Sequence, residues 1–198
     1  SDETKGIKIL NALSTELEVM RQSLLPSALE VVSYNINRRQ KDLKLFEFGY
    51  VYNLGESEKK KYQEELHLSL VISGSQNSET WQKKSQPIAF YDLKNAVSEV
   101  LNQFGVKDFQ ISSVQIKEYL QAVEITSQKK LLGYFGQISK EALKQADVKQ
   151  DVFAAELNID AIFNLKGKAL IFKDLSKFPE VRRDLSLVID KVVKFEEI

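Results

Sequence analysis

The chain contains no cysteine and only one histidine, His67. Disulfides, thiolate metal sites and cysteine nucleophiles are therefore excluded, as is any metal motif built on paired histidines. A Ser-His-Asp triad would have to recruit His67 from inside a strand pattern, without a G-x-S-x-G turn anywhere in the sequence. The eight glycines are scattered, the closest pair being Gly133 and Gly136, whereas a phosphate-cradling loop needs clustered glycines so that backbone N–H groups can approach the oxygens. Arginine is missing from residue 40 to residue 181; the five present are Arg21, Arg38, Arg39, Arg182 and Arg183. Lysine cannot reproduce the planar two-pronged grip of guanidinium, so the middle of the chain is poorly equipped to clamp a triphosphate. No apolar run approaches the roughly 18 residues of a membrane helix, so no membrane partner is expected. The opening SDETKGIKIL has neither a basic region followed by an apolar core nor an initiating Met, which reads as a cytosolic chain excised from a longer one. The 28 basic and 28 acidic residues cancel, leaving no global pull toward nucleic acid or anionic lipid.

What is present suits a well-packed globular protein. With 198 residues, 43% hydrophobic and 28% charged, the chain can bury one substantial core, or one domain plus a fragment of another. Residues 7–10 read as a short strand. In SLLPSALEVVSYNINRR, Pro26 falls where a first helical turn tolerates the missing N–H, which predicts a helix over 24–37. At 100° per residue, Leu24, Leu25, Ala28, Leu29, Val31, Val32 and Ile36 occupy an arc of roughly 160°, broad for a helix that covers one surface. Either this is a deeply buried core helix, or it packs on its own sheet and on a partner chain. Asn35 lies within the arc, and its amide is expected to bond neighbouring backbone.

LKLFEFGYVYN (43–53) alternates as a strand, with Phe46, Phe48, Tyr50 and Tyr52 on one face and Leu43, Leu45, Glu47, Gly49 and Val51 on the other, both expected to be covered. The run Lys59, Lys60, Lys61 reads as an exposed hairpin tip, and LHLSLVISG as the next strand, ending at Gly74. Trp81 sits in a polar loop and reads as a packing anchor in preference to a base-stacking platform. Phe90, Leu93, Val97, Val100, Leu101 and Phe104 have helical spacing, with Gly105 where a left-handed cap belongs. Short strands follow near 109–116, 120–126 and 131–138, then a brief helix in KEALKQA and a strand running into a helix in VFAAELNIDAIF. Further strands are expected around KALIFKDL and VRRDLSLVID. Few helices, many strands and no steady alternation indicate an α+β fold on a largely antiparallel sheet, not a doubly wound nucleotide fold. Glu156 and Asp160 flank the strand–helix junction; with 28 carboxylates in the chain, chance pairs are guaranteed, and structural or interface roles outweigh acid–base work.

Several stretches in order, across nearly the whole chain, resemble the beta chain of bacterial phenylalanyl-tRNA synthetase: NALSTELEVMRQSLLPSALEVVSYNINRRQKDLKLFEFGYVY, LHLSLVISG, FYDLKNAVSEVL, LLGYFGQI, VFAAELNID and KFPEVRRDLSLVID. The most specific are MR-x-SLLP followed by N-x-N-R and LFE-x-G, and FP-x-VRRDLSLV. The resemblance implies a class II aminoacyl-tRNA synthetase-like antiparallel sheet flanked by helices over 1–175. It also implies that 176–198 begin a ferredoxin-like anticodon-binding domain. The working enzyme it implies is a cytoplasmic (αβ)₂ heterotetramer that charges tRNA(Phe) using ATP and Mg²⁺, with the chemistry in the alpha subunit and no cofactor in this fragment.

Class II sites use a glycine-rich strand ending in an arginine at the start of a helix. Against the alpha-chain pattern G-F-A-F-G-x-G-x-E-R, this sequence keeps Phe153, Ala154 and Asp160, but has Glu156 and Asn158 at glycine positions and Ala161 at the arginine. No Arg-x-Glu occurs in the chain. The resemblance therefore implies a pseudo-catalytic scaffold with no catalytic, cofactor or metal residues. On that reading Leu24, Leu25, Ala28, Leu29, Val32 and Ile36 form a subunit interface. Arg38 and Arg39 contact partner carboxylates or tRNA phosphates, or simply complement the helix dipole, and Arg182 and Arg183 face RNA or a domain interface. A stand-alone RNA-binding or protein-interaction module is the alternative.

Overall fold

The computed structural model describes residues 6–11, 18–57, 60–77, 81–82, 84–165, 181, 183–190 and 193. The chain divides into two units, Ser1–Gly167 and Lys168–Ile198. The first holds a six-stranded antiparallel sheet in the order β1-β2-β6-β5-β4-β3. Its elements are α1 (Leu25–Ile36), β1 (Leu43–Ser57), β2 (Lys60–Ser73), α2 (Phe90–Gln103), β3 (Gln110–Val114), β4 (Tyr119–Ser127), β5 (Lys130–Ile138), α3 (Lys140–Gln145), β6 (Val152–Asn158) and α4 (Ile159–Phe163). β6 comes late in sequence but inserts between β2 and β5, joining the β1–β2 hairpin to the β3–β4–β5 meander. Covered on both faces, it reads as a nearly continuous apolar run, as a central strand must.

Because side chains alternate along a strand, β6 sends successive residues to two cores. Phe153, Ala155 and Leu157 join Leu68, Ile72 and Phe135 beneath Leu93, Val97 and Leu101 of α2. Val152 and Ala154 join Val71, Ala122 and Ile138 beneath Leu25, Ala28, Leu29 and Val32 of α1, with Leu143 of α3 closing the same side. Each helix follows from its own stripe. α2 starts with the Asp92 carboxylate accepting from Ala89 N (2.7 Å) and ends at Gly105 with φ +77°, the left-handed cap expected there. The Asn35 amide donates to Val31 O (2.8 Å), satisfying it locally.

Several expectations need correction. Residues 7–10 make only an isolated bridge, Lys8 to Val19, not a strand. β1 and β2 run further than their apolar cores, through polar pairs such as Tyr52 with Glu64 and Asn53 with Gln63, closing at Ser57 and Lys60; a solvated hairpin needs no apolar face to stay paired. β1 is an edge strand whose aromatic face is open, with Phe46 72% and Phe48 52% exposed, because α2 reaches across β2 but not over β1. Trp81 is 92% exposed, so it is not a buried packing anchor among the described residues. Residues 181 and 183–190 form neither helix nor strand, and a strand is marginal without neighbours to pair with. KALIFKDL and the expected boundary at 175 lie outside the described residues.

Candidate functional site

Glu156 occupies the middle of β6, with Ser69 and Tyr134 beside it on the neighbouring strands. Its side chain points to the α1 face and is 3% exposed. A buried carboxylate must be paired or hydrogen-bonded, and here four groups converge on it. Oε2 accepts from Ser23 Oγ (2.6 Å), from Leu24 N (3.2 Å) and, more loosely, from Tyr134 Oη (3.5 Å). Oε1 lies 2.7 Å from His67 Nδ1. A carboxylate only accepts, so Nδ1 carries the proton.

The reason this works is found at the start of α1. The first N–H groups of a helix have no intrahelical acceptor, and the positive end of the helix dipole favours an anion. α1 has no acidic residue in its first turn and no side-chain cap at Leu24. Glu156, from the far side of the sequence, supplies the missing negative charge. Ser23 assists by accepting from Leu25 N (3.1 Å) while donating to Glu156. Burial pushes the Tyr134 hydroxyl pKa well up, reinforced by the Glu156 charge. Tyr119, edge to face with Tyr134 at 5.7 Å, is pushed up by burial first, then by Tyr134 and Glu156.

The other positions of the degenerate motif are also in structural use. Asn158 Oδ1 accepts from Ala161 N (2.7 Å) and caps α4. Asp160 Oδ2 accepts from Leu66 N (2.8 Å), fastening α4 to β2. Glu156 and Asp160 therefore serve separate contacts and do not form an acid–base pair. Ala161, at the arginine position, packs against the core under α2. The arginine that does approach this side is Arg21, which donates to Tyr50 O (2.8 Å) and pairs with Glu47 (3.0 Å). It lies over Gly49, where any Cβ would run into Arg21 Nη2.

The structure brings the six α1 residues together but turns them inward. Leu24, Leu25, Ala28, Leu29 and Val32 are buried in the chain's own core, and Ile36 packs partly buried beside them. The open side of α1 carries Val31 and Tyr34, 46% and 57% exposed. Arg38 donates to Tyr34 O (3.1 Å) and stacks over the Tyr34 ring at 3.3 Å from its centroid, so it serves the helix's own C-terminal carbonyls. Arg39 is exposed in the left-handed region, φ +68°. Arg183 is exposed, and Arg182 lies outside the described residues.

Sequence reasoning passed over two members of the network. His67 reads from the sequence only as a triad base, and nothing local singles out Tyr134. The signal was in LHLSL: His67 and Ser69 share one face of a strand whose other face is Leu66, Leu68 and Leu70, so a strand covered on both sides carries a polar stripe needing buried partners. Another feature, an open groove of about 830 Å³, lies on the opposite face, lined by Phe46, Phe48, Leu70, Val100 and Phe104 among others.

Chemically, the Ser23–Glu156–His67 chain places a carboxylate, not an imidazole, in the centre. Ser23 Oγ meets the Glu156 carboxylate and not the imidazole, so the His67-based activation of a Ser-His-Asp triad is not assembled here. Among the described residues no group of three or more His, Asp or Glu could hold a metal ion, and no helix is long and apolar enough to cross a membrane.

Residues 1–159 match the family described as phenylalanyl tRNA synthetase beta chain CLM domain. Similar curated proteins include the phenylalanine–tRNA ligase beta subunits of Porphyromonas gingivalis (36% identical, covering 98% of this chain and 25% of that one) and Bacteroides fragilis (35% identical, covering 97% and 25%). The chain thus spans about a quarter of the length of these relatives. Among solved structures, the crystal structure of pyrrolysyl-tRNA synthetase from Desulfitobacterium hafniense superposes with a TM-score of 0.61 at 13% identity, covering 80% of this chain and 52% of that one. A structure of PylSc, a pyrrolysyl-tRNA synthetase from the same organism, gives 0.59 at 14%, with the same coverage. The antiparallel sheet flanked by helices is the class II synthetase-like fold expected from the sequence.

Proposed function

The chain belongs to the phenylalanyl tRNA synthetase beta chain CLM domain family, and from that premise we propose that it is a pseudo-catalytic scaffold module of a phenylalanine–tRNA ligase beta subunit. In this reading it supports an alpha subunit that carries out ATP- and Mg²⁺-dependent charging of tRNA(Phe) in the cytoplasm, within an (αβ)₂ assembly. The module itself performs no chemistry and takes no cofactor.

The observation that carries this reading is the position of Glu156. A nucleotide lying against the strand needs bare backbone and a cation for its phosphates. Here a buried carboxylate projects from that backbone, Asn158 is committed to capping α4, and Ala161 offers no charge. The residues present do not fit a triphosphate, which the Glu156 charge would repel. What remains is a rigid sheet with surfaces for neighbours. The inward residues of α1, from Leu24 to Ile36, hold the helix in place, and Val31 and Tyr34 are the side chains it offers outward. The open aromatic face of β1 favours protein contact over a stand-alone RNA-binding role.

Calorimetric titration of the 198-residue chain with ATP and Mg²⁺ should give no saturable heat; saturable binding would overturn the pseudo-catalytic reading. Co-expression with a phenylalanine–tRNA ligase alpha subunit, followed by size-exclusion chromatography and aminoacylation, tests the scaffold role. The full-length beta subunit carrying Val31→Glu and Tyr34→Glu should assemble less well. Unaltered assembly and charging would remove α1 from the interface.

A further inference from the structure

The groups that meet Glu156 come from three separate parts of the chain: Ser23 and Leu24 at the start of α1, His67 on β2 and Tyr134 on β5. They are held by elements that pack independently of Glu156. Ser23 and Leu24 are positioned by a 12-residue helix anchored through Leu25, Ala28, Leu29 and Val32. His67 is fixed by β-ladder pairing to Gly49 and Asn158. Tyr134 is fixed by pairing to Glu124 and by the Tyr119 ring. Tyr119 itself is 7% exposed, its hydroxyl has no hydrogen-bond partner among the described residues, and it lies within electrostatic reach of both Tyr134 and Glu156. His67 Nε2 is likewise buried without a hydrogen bond, with Glu65 Oε2 at 3.7 Å, too far for one. The pocket thus holds more polar capacity than the Glu156 side chain uses.

We propose that Glu156 is a tethered ligand: Ser23, the Leu24 N–H, His67 and Tyr134 form a preorganised carboxylate acceptor, which takes up a free carboxylate when the tether is cut back to alanine. The site has two faces of specificity. Leu24 N and Ser23 Oγ grip one oxygen and His67 Nδ1 the other, so both oxygens of a planar carboxylate are read. Chloride can satisfy only one side of that arrangement. Glu156→Ala removes a CH₂–COO⁻ fragment whose free counterpart is acetate, so acetate matches the volume and the charge lost together.

The test is thermal unfolding of the 198-residue Glu156→Ala chain in sodium acetate against sodium chloride at equal ionic strength. Acetate should raise the midpoint saturably, by roughly 2–4 °C when about fivefold above its dissociation constant, and propionate should do less. The imidazole signals of His67, the only histidine, need no assignment by NMR and should shift along the same saturation curve. Adding Ser23→Ala should abolish both responses. Equal effects of acetate and chloride, or a response that survives Ser23→Ala, would overturn the proposal. If Glu156→Ala folds in neither salt, Glu156→Gln decides. Its amide keeps the shape but presents N–H groups to donors, so it should unfold at a lower temperature than the parent and ignore acetate; a Glu156→Gln chain as stable as the parent overturns the idea.

Discussion

β6 has two sides, and they are built on different principles. Toward α2 it presents Phe153, Ala155 and Leu157, which join the apolar core under that helix. Toward α1 it begins in the same way with Val152 and Ala154, then changes to Glu156 and Asn158. Apolar burial is non-directional and scales with area. The Glu156 cluster depends on matched donors at set distances, and a buried ion pair contributes little net stability compared with a well-packed apolar pair. Both sides therefore hold their helices by apolar burial, and on the α1 side the Glu156 cluster adds a directional polar contact at the start of the helix.

That contrast can be broken by experiment. Phe135 is fully buried under α2 and stacked on Phe90 at 5.2 Å. Phe135→Ala should cost about 3–5 kcal/mol in denaturant unfolding, the largest effect expected from a single side chain. His67→Ala leaves Glu156 Oε1 without its charged-group hydrogen bond and should cost less, about 1.5–3 kcal/mol. If His67→Ala were the more damaging, the polar contact would be the stronger hold and the contrast would be reversed.

The smallest effect belongs to Tyr119. Because its hydroxyl is buried and unbonded, Tyr119→Phe should leave stability at pH 7 unchanged or raise it by up to about 1 kcal/mol. The pH dependence sharpens this. Tyr119 and Tyr134 both have pKa values raised above the usual 10.0. Below pH 10 both states keep these protons. Above it the unfolded chain releases protons that the folded chain retains, so stability falls with rising pH. Chemical denaturation between pH 9 and pH 11 should show that fall, with a shallower slope in Tyr119→Phe.

The elements that could be read in advance are those whose signals are local. Pro26 and the apolar stripe located α1, and Gly105 located the end of α2. The failures depend on distant partners. Nothing near Phe46 and Phe48 tells whether a helix will extend over an edge strand, so their openness was not visible in alternation alone. A strand around VRRDLSLVID depends on neighbours to pair with, which its own residues do not specify. Glu156 was conspicuous as an acid inside an apolar run, but its tie to His67 is made by the β2–β6 ladder, across a sequence separation of 89. A motif comparison could mark the position as altered; only the ladder shows what the new side chain does there.

On the scaffold reading proposed above, the seal around Glu156 bears on what a nucleotide would need in order to lie along β6. Restoring glycine at 156 alone would strand the Ser23 hydroxyl, the Leu24 amide and the His67 imidazole in the same step, because all three now rely on that carboxylate. A first move toward nucleotide binding would thus cost folding stability and would yield no phosphate grip until a guanidinium also arrived. An interior closed on its own acid resists one-residue-at-a-time change like a ratchet.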